Sequence, residues 1–217
     1  MLPLYLEDIN KLNIVLGSAS PCRKHLLEMI GLKFEVLASK YAEDLPFIEY
    51  SPNDYVKEIS RQKLLDVCNQ IKHLHKQTNI VISGDTSIYY EGKMYGKPKD
   101  KEDAFNTLKT LCGHKHQCIT AIWIGLLDSK QELIDSVSDV VSSNVTFKIL
   151  SDAEIWGYIN TEQPMNNAGA YMLQAHGATL YEKIDGCFYG IWGLPLGALA
   201  GIMVPLLKKH KLIGDKY

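Results

Sequence analysis

The sequence lacks the cysteine pattern of a disulfide-stabilised protein or of a zinc site. Its five cysteines are an odd number, and no two of them form a CxxC pair. The amino terminus also lacks the pattern of a secretory signal peptide. We therefore expect free thiols in a reducing compartment, which predicts a cytoplasmic protein.

A surplus of charge is also absent, because the formal net charge is only -2. This balance gives no reason to expect nucleic acid as a partner, although a few placed cations can still bind a small anion. The uncharged run at 188–207 is nearly long enough to cross a bilayer, but it contains four glycines and two prolines. We interpret it as a buried strand, turn and helix, and we expect no membrane partner.

The chain shows no linker, internal repeat or low-complexity segment, so we expect a single domain over residues 1–217. Strands are predicted at 12–16, 34–38, 79–83, 118–127 and 132–149, with hairpins at 87–95 and 178–191. Helices are predicted to begin at Pro21, after Ser51, after Asp100, at Ser151 and near Pro195. This order predicts an α/β protein with a mixed twisted sheet and flanking helices.

The segment at 17–24 combines small residues with the start of a helix. Ser20 is a good N-cap and Pro21 suits the first helical position, so unpaired N–H groups point out of this end. Arg23 and Lys24 lie where the helix dipole disfavours cations, and a bound anion would reverse that penalty. The alternative, which this segment alone favours, is an ordinary capped helix with two solvated bases.

Lys63 falls within the apolar stripe of a predicted helix rather than on its polar face. The stripe is defined by Val56, Ile59, Val67 and Ile71. A lysine in this position must either extend outward to water or meet an anion in a cleft. Both interpretations remain open from the sequence.

Asp85 lies just beyond a predicted strand that is too apolar to be exposed, and Thr86 follows it. Ligand sites in α/β sheets gather at such strand ends, where a carboxylate can hold Mg²⁺ or take a proton from water. The alternative is an aspartate that caps a turn. Lys97 is displayed by a rigid Gly-Lys-Pro turn, for which a solvated loop lysine is the alternative.

The common motifs of nucleotide and ester hydrolysis are missing: the chain has no GxxxxGK[ST], GxSxG or HExxH. The four features described above nevertheless supply what hydrolysis of a phosphate ester needs. They provide an anion-binding loop, cations that neutralise phosphate oxygens, and carboxylates for a metal and a water.

Over residues 14–200 the order of these motifs resembles the Maf family of nucleoside triphosphate pyrophosphatases. The matching motifs are Ser18-Ala19-Ser20-Pro21-Cys22-Arg23, Phe34-Glu35-Val36 with Glu43, Arg61-Gln62-Lys63, Gly84-Asp85-Thr86, Gly96-Lys97-Pro98, Ala168-Gly169-Ala170-Tyr171-Met172-Leu173-Gln174 and Trp192-Gly193-Leu194-Pro195-Leu196. The resemblance implies a two-lobed, inosine-triphosphatase-like fold with the substrate in the cleft, and a homodimer.

The resemblance also implies a reaction and a set of site residues. A nucleoside triphosphate would be cleaved between its α and β phosphates with Mg²⁺ or Mn²⁺ as the cofactor. Asp85 would accept the proton, and Glu43 and Asp85 would hold the metal. The residues implied to bind the triphosphate are Ser18, Ser20, Arg23, Lys63 and Lys97. Thr86 and Gln174 look like base-reading positions, similar to those of the dTTP and UTP branch.

Three departures from the family pattern involve four residues. Cys22 replaces an arginine at a position that helps to select the base, Asn166-Asn167 replaces Asp-Lys, and Met172 replaces a glycine. Two alternatives to a dTTP and UTP pyrophosphatase therefore remain open. One is a nucleotide-binding regulator of cell division without useful catalysis, and the other is a pyrophosphatase for modified nucleotides. The retained carboxylates and lysines argue against the regulator, because binding alone needs no general base.

Overall fold

The computed structural model describes residues 2–215, and within this range seven strands form one mixed sheet. The strands are Ile14–Leu16 (β1), Glu35–Val36 (β2), Ile80–Tyr90 (β3), Lys93–Tyr95 (β4), Lys115–Leu127 (β5), Leu133–Phe147 (β6) and Tyr181–Asp185 (β7). Their order is β2-β1-β3-β5-β6-β7, and β4 pairs with β3. Only the β2–β1 and β1–β3 pairings are parallel, while all the others are antiparallel.

Seven α-helices accompany the sheet in this part of the chain. They are Leu6–Ile9 (α1), Pro21–Met29 (α2), Pro52–His73 (α3), Lys101–Leu111 (α4), Asp152–Ile159 (α5), Phe188–Ile191 (α6) and Leu196–Lys209 (α7). The predicted helix starts are confirmed at Ser20, Ser51, Asp100 and Ser151, because each side chain accepts a hydrogen bond from the backbone N–H three residues later. These bonds satisfy N–H groups that a helix leaves unpaired at its first turn.

Helices cover both faces of the sheet, so the predicted mixed α/β class with flanking helices is confirmed. On one face α3 packs Leu64, Val67 and Ile71 against Val15 and Val81 of the sheet. A second cluster joins α2 and α7 to the sheet, with members that include Leu16, Leu26, Ile82, Leu199 and Met203. A third cluster joins α4 and α5 to the carboxyl-terminal half of β3 and to β5, β6 and β7. The two lobes and the single domain remain predictions.

One edge of β3 is left open in its middle. Along its other edge β5 pairs with residues 80–89. On the open side β1 pairs only with Ile80, Val81 and Ile82, and β4 pairs only with residues 88–90. Within the described residues, positions 83–87 therefore have no strand neighbour on this side. Backbone and side chains of β3 can meet a ligand there.

Two predictions near the carboxyl terminus were wrong. The hairpin predicted at 178–191 does not form, because β7 pairs with β6 and the chain then turns away from the sheet at Gly186. Gly186 has a φ of 128° and packs against Ser143, so the next residues leave the sheet. The strand predicted after 188 is instead the helical turn α6, whose start is capped by Cys187 Sγ. No helix within residues 2–215 is long and apolar enough to cross a membrane.

The buried imidazole of His116 on β5 packs against the third cluster, where it contacts the rings of Phe147 and Tyr171. Its side chain is 2% exposed, and burial lowers its pKa to about 4 from its ordinary value of 6.5. The folded state therefore holds His116 neutral, whereas the unfolded chain binds a proton below pH 6.5. Burial of neutral His116 therefore does not reduce the free energy of unfolding above that pH, but it does so increasingly as the pH falls toward 4.

We predict that the free energy of unfolding falls by up to about 3 kcal/mol between pH 6.5 and pH 4 because of His116 alone. Chemical denaturation at several pH values would measure this slope in the wild type and in His116→Gln. The variant keeps a polar group in place but cannot titrate, so its slope should be shallower. Equal slopes in the two proteins would contradict the assignment.

Candidate active site

Asp85 lies in the middle of β3, and the prediction that it follows the end of the strand was wrong. Gly84, Asp85 and Thr86 continue the antiparallel pairing with β5, where Asp85 faces Ala121. The strand that ends near Asp85 is β1, the parallel neighbour of β3, whose last residue Leu16 pairs with Ile82. Asp85 therefore lies on the open edge of β3, beyond the carboxyl end of a neighbouring parallel strand, which is a usual place for a ligand.

Lys63 joins the two predicted acidic residues. Its Nζ lies 2.7 Å from Asp85 Oδ1 and 2.7 Å from Glu43 Oε1. The side chains of Lys63 and Asp85 are only 13% and 8% exposed, whereas that of Glu43 is 51% exposed. Lys63 therefore meets carboxylates of the protein, and its contact with an anion in a cleft stays a prediction. Ser87 Oγ donates to the other oxygen of Asp85 at 3.3 Å.

The backbone and surroundings of Glu43 also mark this cluster. Glu43 adopts a φ of 53°, a left-handed conformation that costs a non-glycine residue about 1 kcal/mol or more. Tyr55 at the start of α3 lies close enough for electrostatic coupling to both carboxylates. The pKa of its phenol is raised by burial first and then by the charges of Asp85 and Glu43. Two carboxylates, a lysine and a phenol therefore converge on one face of β3.

On the other face of β3 the buried Arg23 fastens three distant segments. Its Nε donates to the Gly193 carbonyl at 2.9 Å, Nη1 donates to Ser18 Oγ at 3.0 Å, and Nη2 donates to Thr86 Oγ1 at 3.0 Å. The side chain crosses β3 at Gly84, where an added Cβ would lie 3.2 Å from Arg23 Nε. Burial lowers the pKa of Arg23, but a guanidinium keeps its proton in proteins. The site therefore contains a fixed positive charge.

The hydroxyl of Thr86 has its hydrogen already committed. Thr120 Oγ1 donates its one hydrogen to the Gly190 carbonyl at 2.8 Å, so the bond of 2.9 Å between Thr86 and Thr120 must be donated by Thr86. Thr86 Oγ1 also accepts from Arg23. A hydroxyl oxygen has two lone pairs, so Thr86 can offer a ligand only an acceptor.

Gln174 and Cys22, two of the predicted base-reading positions, are in contact. Gln174 Nε2 lies 3.3 Å from Cys22 Sγ and donates to it. The amide oxygen, Oε1, is buried and has no hydrogen-bond partner within the described residues. A buried carbonyl without a partner is unfavourable, so this oxygen is also available as an acceptor.

The remaining predicted residues are Ser20 and Lys97. Ser20 caps α2, and its backbone N–H donates to Ser18 Oγ at 3.2 Å. Lys97 is exposed on the turn that follows β4. That turn is held by the loop that carries Gln174, because the Gly169 N–H donates to the Gly96 carbonyl at 2.9 Å.

The sequence analysis missed four contributors to the site: Ser87, Tyr55, Thr120 and Gly193. Ser87 had a usable signal, because residues two apart on a strand share a face and it follows Asp85 by two. Tyr55 lies two helical turns before Lys63, which also places it near the same face. No local pattern identifies Thr120 or Gly193, since their contacts come from strand pairing and from the packing of Arg23.

Comparisons with known proteins match the sequence to one family over nearly the whole chain. The family described as Maf-like protein matches residues 13–205. A protein of Clostridium tetani named dTTP/UTP pyrophosphatase is 39% identical, covering 87% of this chain and 94% of its own length. Proteins with the same name from Ruminiclostridium cellulolyticum and Bdellovibrio bacteriovorus are 38% and 35% identical, with 91% and 88% of this chain covered and 97% and 96% of their own. The chain belongs to the Maf-like protein family.

Proposed function

We propose that this protein is a nucleoside triphosphate pyrophosphatase that hydrolyses dTTP and UTP to the monophosphate and pyrophosphate. The observation that carries the proposal is the convergence of Asp85 and Glu43 on Lys63 beside the open edge of β3. The names of the similar proteins support the reaction and the substrates. A homodimer in the cytoplasm is part of the same proposal, and it rests on the family resemblance and on the cysteine pattern.

The two carboxylates fit a divalent cation. Asp85 Oδ1 and Glu43 Oε1 already bond one ammonium, so the same pair can reach a single metal ion. Within residues 2–215 no group of three or more acidic, histidine or cysteine side chains is placed to hold a metal. Mg²⁺ is typically held by one or two carboxylates together with substrate phosphates, which suits this pair. Mg²⁺ or Mn²⁺, when bound, would neutralise phosphate charge and polarise the reacting phosphorus.

The protein groups divide the remaining work. Asp85 is the one nearly buried carboxylate of the cluster, and we assign it the role of the general base that accepts a proton from the attacking water. Lys63 contacts both carboxylates, so its ammonium can turn toward the phosphates while it stays close to Asp85. Lys63, Arg23 and the exposed Lys97 stabilise the negative charge that builds on the departing pyrophosphate. Ser18 and Ser20 line the turn at the start of α2, where phosphate is favoured.

We expect Asp85→Asn to reduce kcat by roughly 10²- to 10⁴-fold, which is the usual contribution of a general base. Pyrophosphate release from dTTP and UTP would measure the loss, with a metal titration of the variant. Asp128→Asn is the matched control, since Asp128 caps the turn between β5 and β6, away from the site. Near-normal turnover of Asp85→Asn at saturating metal would exclude the role of base.

The metal assignment to Glu43 predicts a different kind of defect. Glu43→Gln should raise the Mg²⁺ concentration for half-maximal activity by at least about tenfold, because even outer partners of a metal site change affinity by that much. Glu49→Gln, in the short helical turn that follows the acidic loop, should leave the metal requirement unchanged. An unaltered metal titration in Glu43→Gln would remove Glu43 from the metal site.

The polar atoms offered to the base are both acceptors. Thr86 Oγ1 has donated its hydrogen to Thr120. Gln174 Nε2 faces Cys22, and among residues 2–215 Gln174 Oε1 has no hydrogen-bond donor. Uracil and thymine present a ring N–H at the corresponding edge, whereas cytosine presents a ring nitrogen without hydrogen. This complementarity favours the uracil and thymine bases, with Cys22 fixing the direction of the Gln174 amide.

Cys22→Ala should relax this choice of base. Without Sγ as an acceptor the amide can rotate, and the ratio of kcat/KM for CTP to that for UTP should rise by about tenfold, the effect of roughly one hydrogen bond. Cys112→Ala is the matched control, because Cys112 Sγ also accepts an N–H, from Leu150, but lies elsewhere. An unchanged ratio in Cys22→Ala would contradict the role of Cys22. Binding of nucleotides without cleavage of any would instead favour the regulator.

A further inference from the structure

The loop at 168–174 connects the two ends of the proposed substrate site. At its start the Gly169 N–H donates to the Gly96 carbonyl, which precedes Lys97 in the turn after β4. At its end Gln174 donates to Cys22. A shift of this loop would therefore move the base-reading amide and the lysine turn together. What holds the loop sets the spacing between the base and the phosphates.

The backbone conformation of this loop is unfavourable by itself at two residues. Gly169 and Ala170 have φ values of 66° and 58°, and the left-handed region is unfavourable for alanine by roughly 1 kcal/mol or more. A Cβ at Gly169 would lie 2.5 Å from Ile88 Cγ1, so the loop is also pressed closely against β3. Contacts from outside the loop must hold it in place.

Three tyrosine hydroxyls hold three consecutive residues of the loop. Tyr158 OH accepts from the Met172 N–H at 3.0 Å, and Tyr181 OH donates to the Leu173 carbonyl at 3.2 Å. The third hydroxyl belongs to the loop itself, since Tyr171 OH lies 3.1 Å from His116 Nε2 on β5. The loop is thus fixed to α5, to β7 and to the centre of the sheet.

The contact between His116 and Tyr171 is the most deeply buried of the three. Their exposures are 2% and 5%, and the rings of both pack edge-on against Phe147, with centroids 4.8 Å from it. Two polar groups inside an apolar cluster are unfavourable unless they bond each other, so the bond selects one rotamer of Tyr171. Two phenylalanines could fill the same space but would not select that rotamer.

We propose that His116 and Tyr171 are positioning residues: their buried hydrogen bond fixes the loop at 168–174 and thereby the spacing between Gln174 and the turn of Lys97. This role rests on the proposed function, because the spacing matters only if a nucleoside triphosphate binds to both elements. Neither residue touches the reacting phosphate in this proposal. Their loss should therefore act on substrate binding rather than on the chemical step.

Tyr171→Phe tests the bond while keeping the ring and its packing. We expect KM for UTP and dTTP to rise by roughly three- to tenfold, as for one lost hydrogen bond, with kcat changed less than about twofold. His116→Phe should give the same result, and His116→Gln should restore most of the wild-type KM because it returns a polar atom near Nε2. Trp123→Phe is the matched control, since Trp123 on the same strand donates a side-chain hydrogen bond to Lys57 at its other end.

A second readout does not depend on catalysis. Gln174 lies against Cys22, so a displaced loop should speed the alkylation of Cys22 by a maleimide, followed by mass spectrometry. Cys112 and Cys187, which are also partly exposed, are internal references in the same sample. Faster labelling of Cys22 in Tyr171→Phe but not in Trp123→Phe supports the proposal.

Unchanged Cys22 labelling in Tyr171→Phe would overturn the proposal, as would a KM increase no larger than that of Trp123→Phe. If Tyr171→Phe loses kcat and thermal stability while its KM is unchanged, the pair has a purely structural role and the proposal is overturned. If the wild type cleaves no triphosphate, the proposed function fails, while the labelling result still decides whether the bond positions the loop. A poorly folded His116→Phe leaves Tyr171→Phe to decide.

Discussion

The arrangement of the site depends on one lysine that the fold buries. Lys63 belongs to the helix that packs on the sheet, and its side chain is only 13% exposed. A buried ammonium is strongly unfavourable without an anionic partner, and Asp85 and Glu43 supply two. The pairing gives the nearly buried carboxylate of Asp85 a cation, and it connects the acidic loop to the same ammonium through Glu43. Removing the charge of Lys63 alone would leave Asp85 buried without a cation.

The second constraint is the mixed sheet, which gives this cluster access to a ligand. A parallel neighbour ends before Asp85 and an antiparallel neighbour begins after it, so the strand is exposed at its edge while it remains paired with β5. Side chains alternate across the strand, which sends Asp85 to one face and Thr86 to the other. The cation and carboxylate cluster therefore lies on the side of α3, whereas Arg23, Thr86 and the turn at Ser18 lie on the side of α2. A ligand at the open edge can contact both.

Local signals in the sequence predicted the helix starts and the unusual position of Lys63, because caps and apolar periodicity depend on neighbouring residues only. The same reasoning ended β3 too early at Gly84, since glycine and aspartate are poor strand formers and the pairing with β5 overrides that preference. It also extended a strand pattern through 188–191, where Cys187 caps a helical turn. The contact between Arg23 and Gly193 joins residues 170 positions apart, and no local pattern contains it. The resemblance to a family supplied roles for such residues, but the structure was needed for their partners.

The departures from the family pattern lie in the loop at 168–174, at its entry, or in contact with it. Cys22 contacts Gln174, and Met172 lies in the same loop. Asn167 has lost a charge, yet its side chain donates to the Gln163 carbonyl at 2.7 Å, which ties the entry of the loop locally. The residues proposed to handle the triphosphate and the metal are unchanged, and they lie on β3, α3 and α2, in the turn before α2, in the acidic loop and in the turn after β4. Asp85, Lys63 and Glu43 lie outside the loop at 168–174, so substitutions in that loop can alter the preferred base while the carboxylate cluster is kept. The His116–Tyr171 bond connects this loop to the same sheet that carries Asp85.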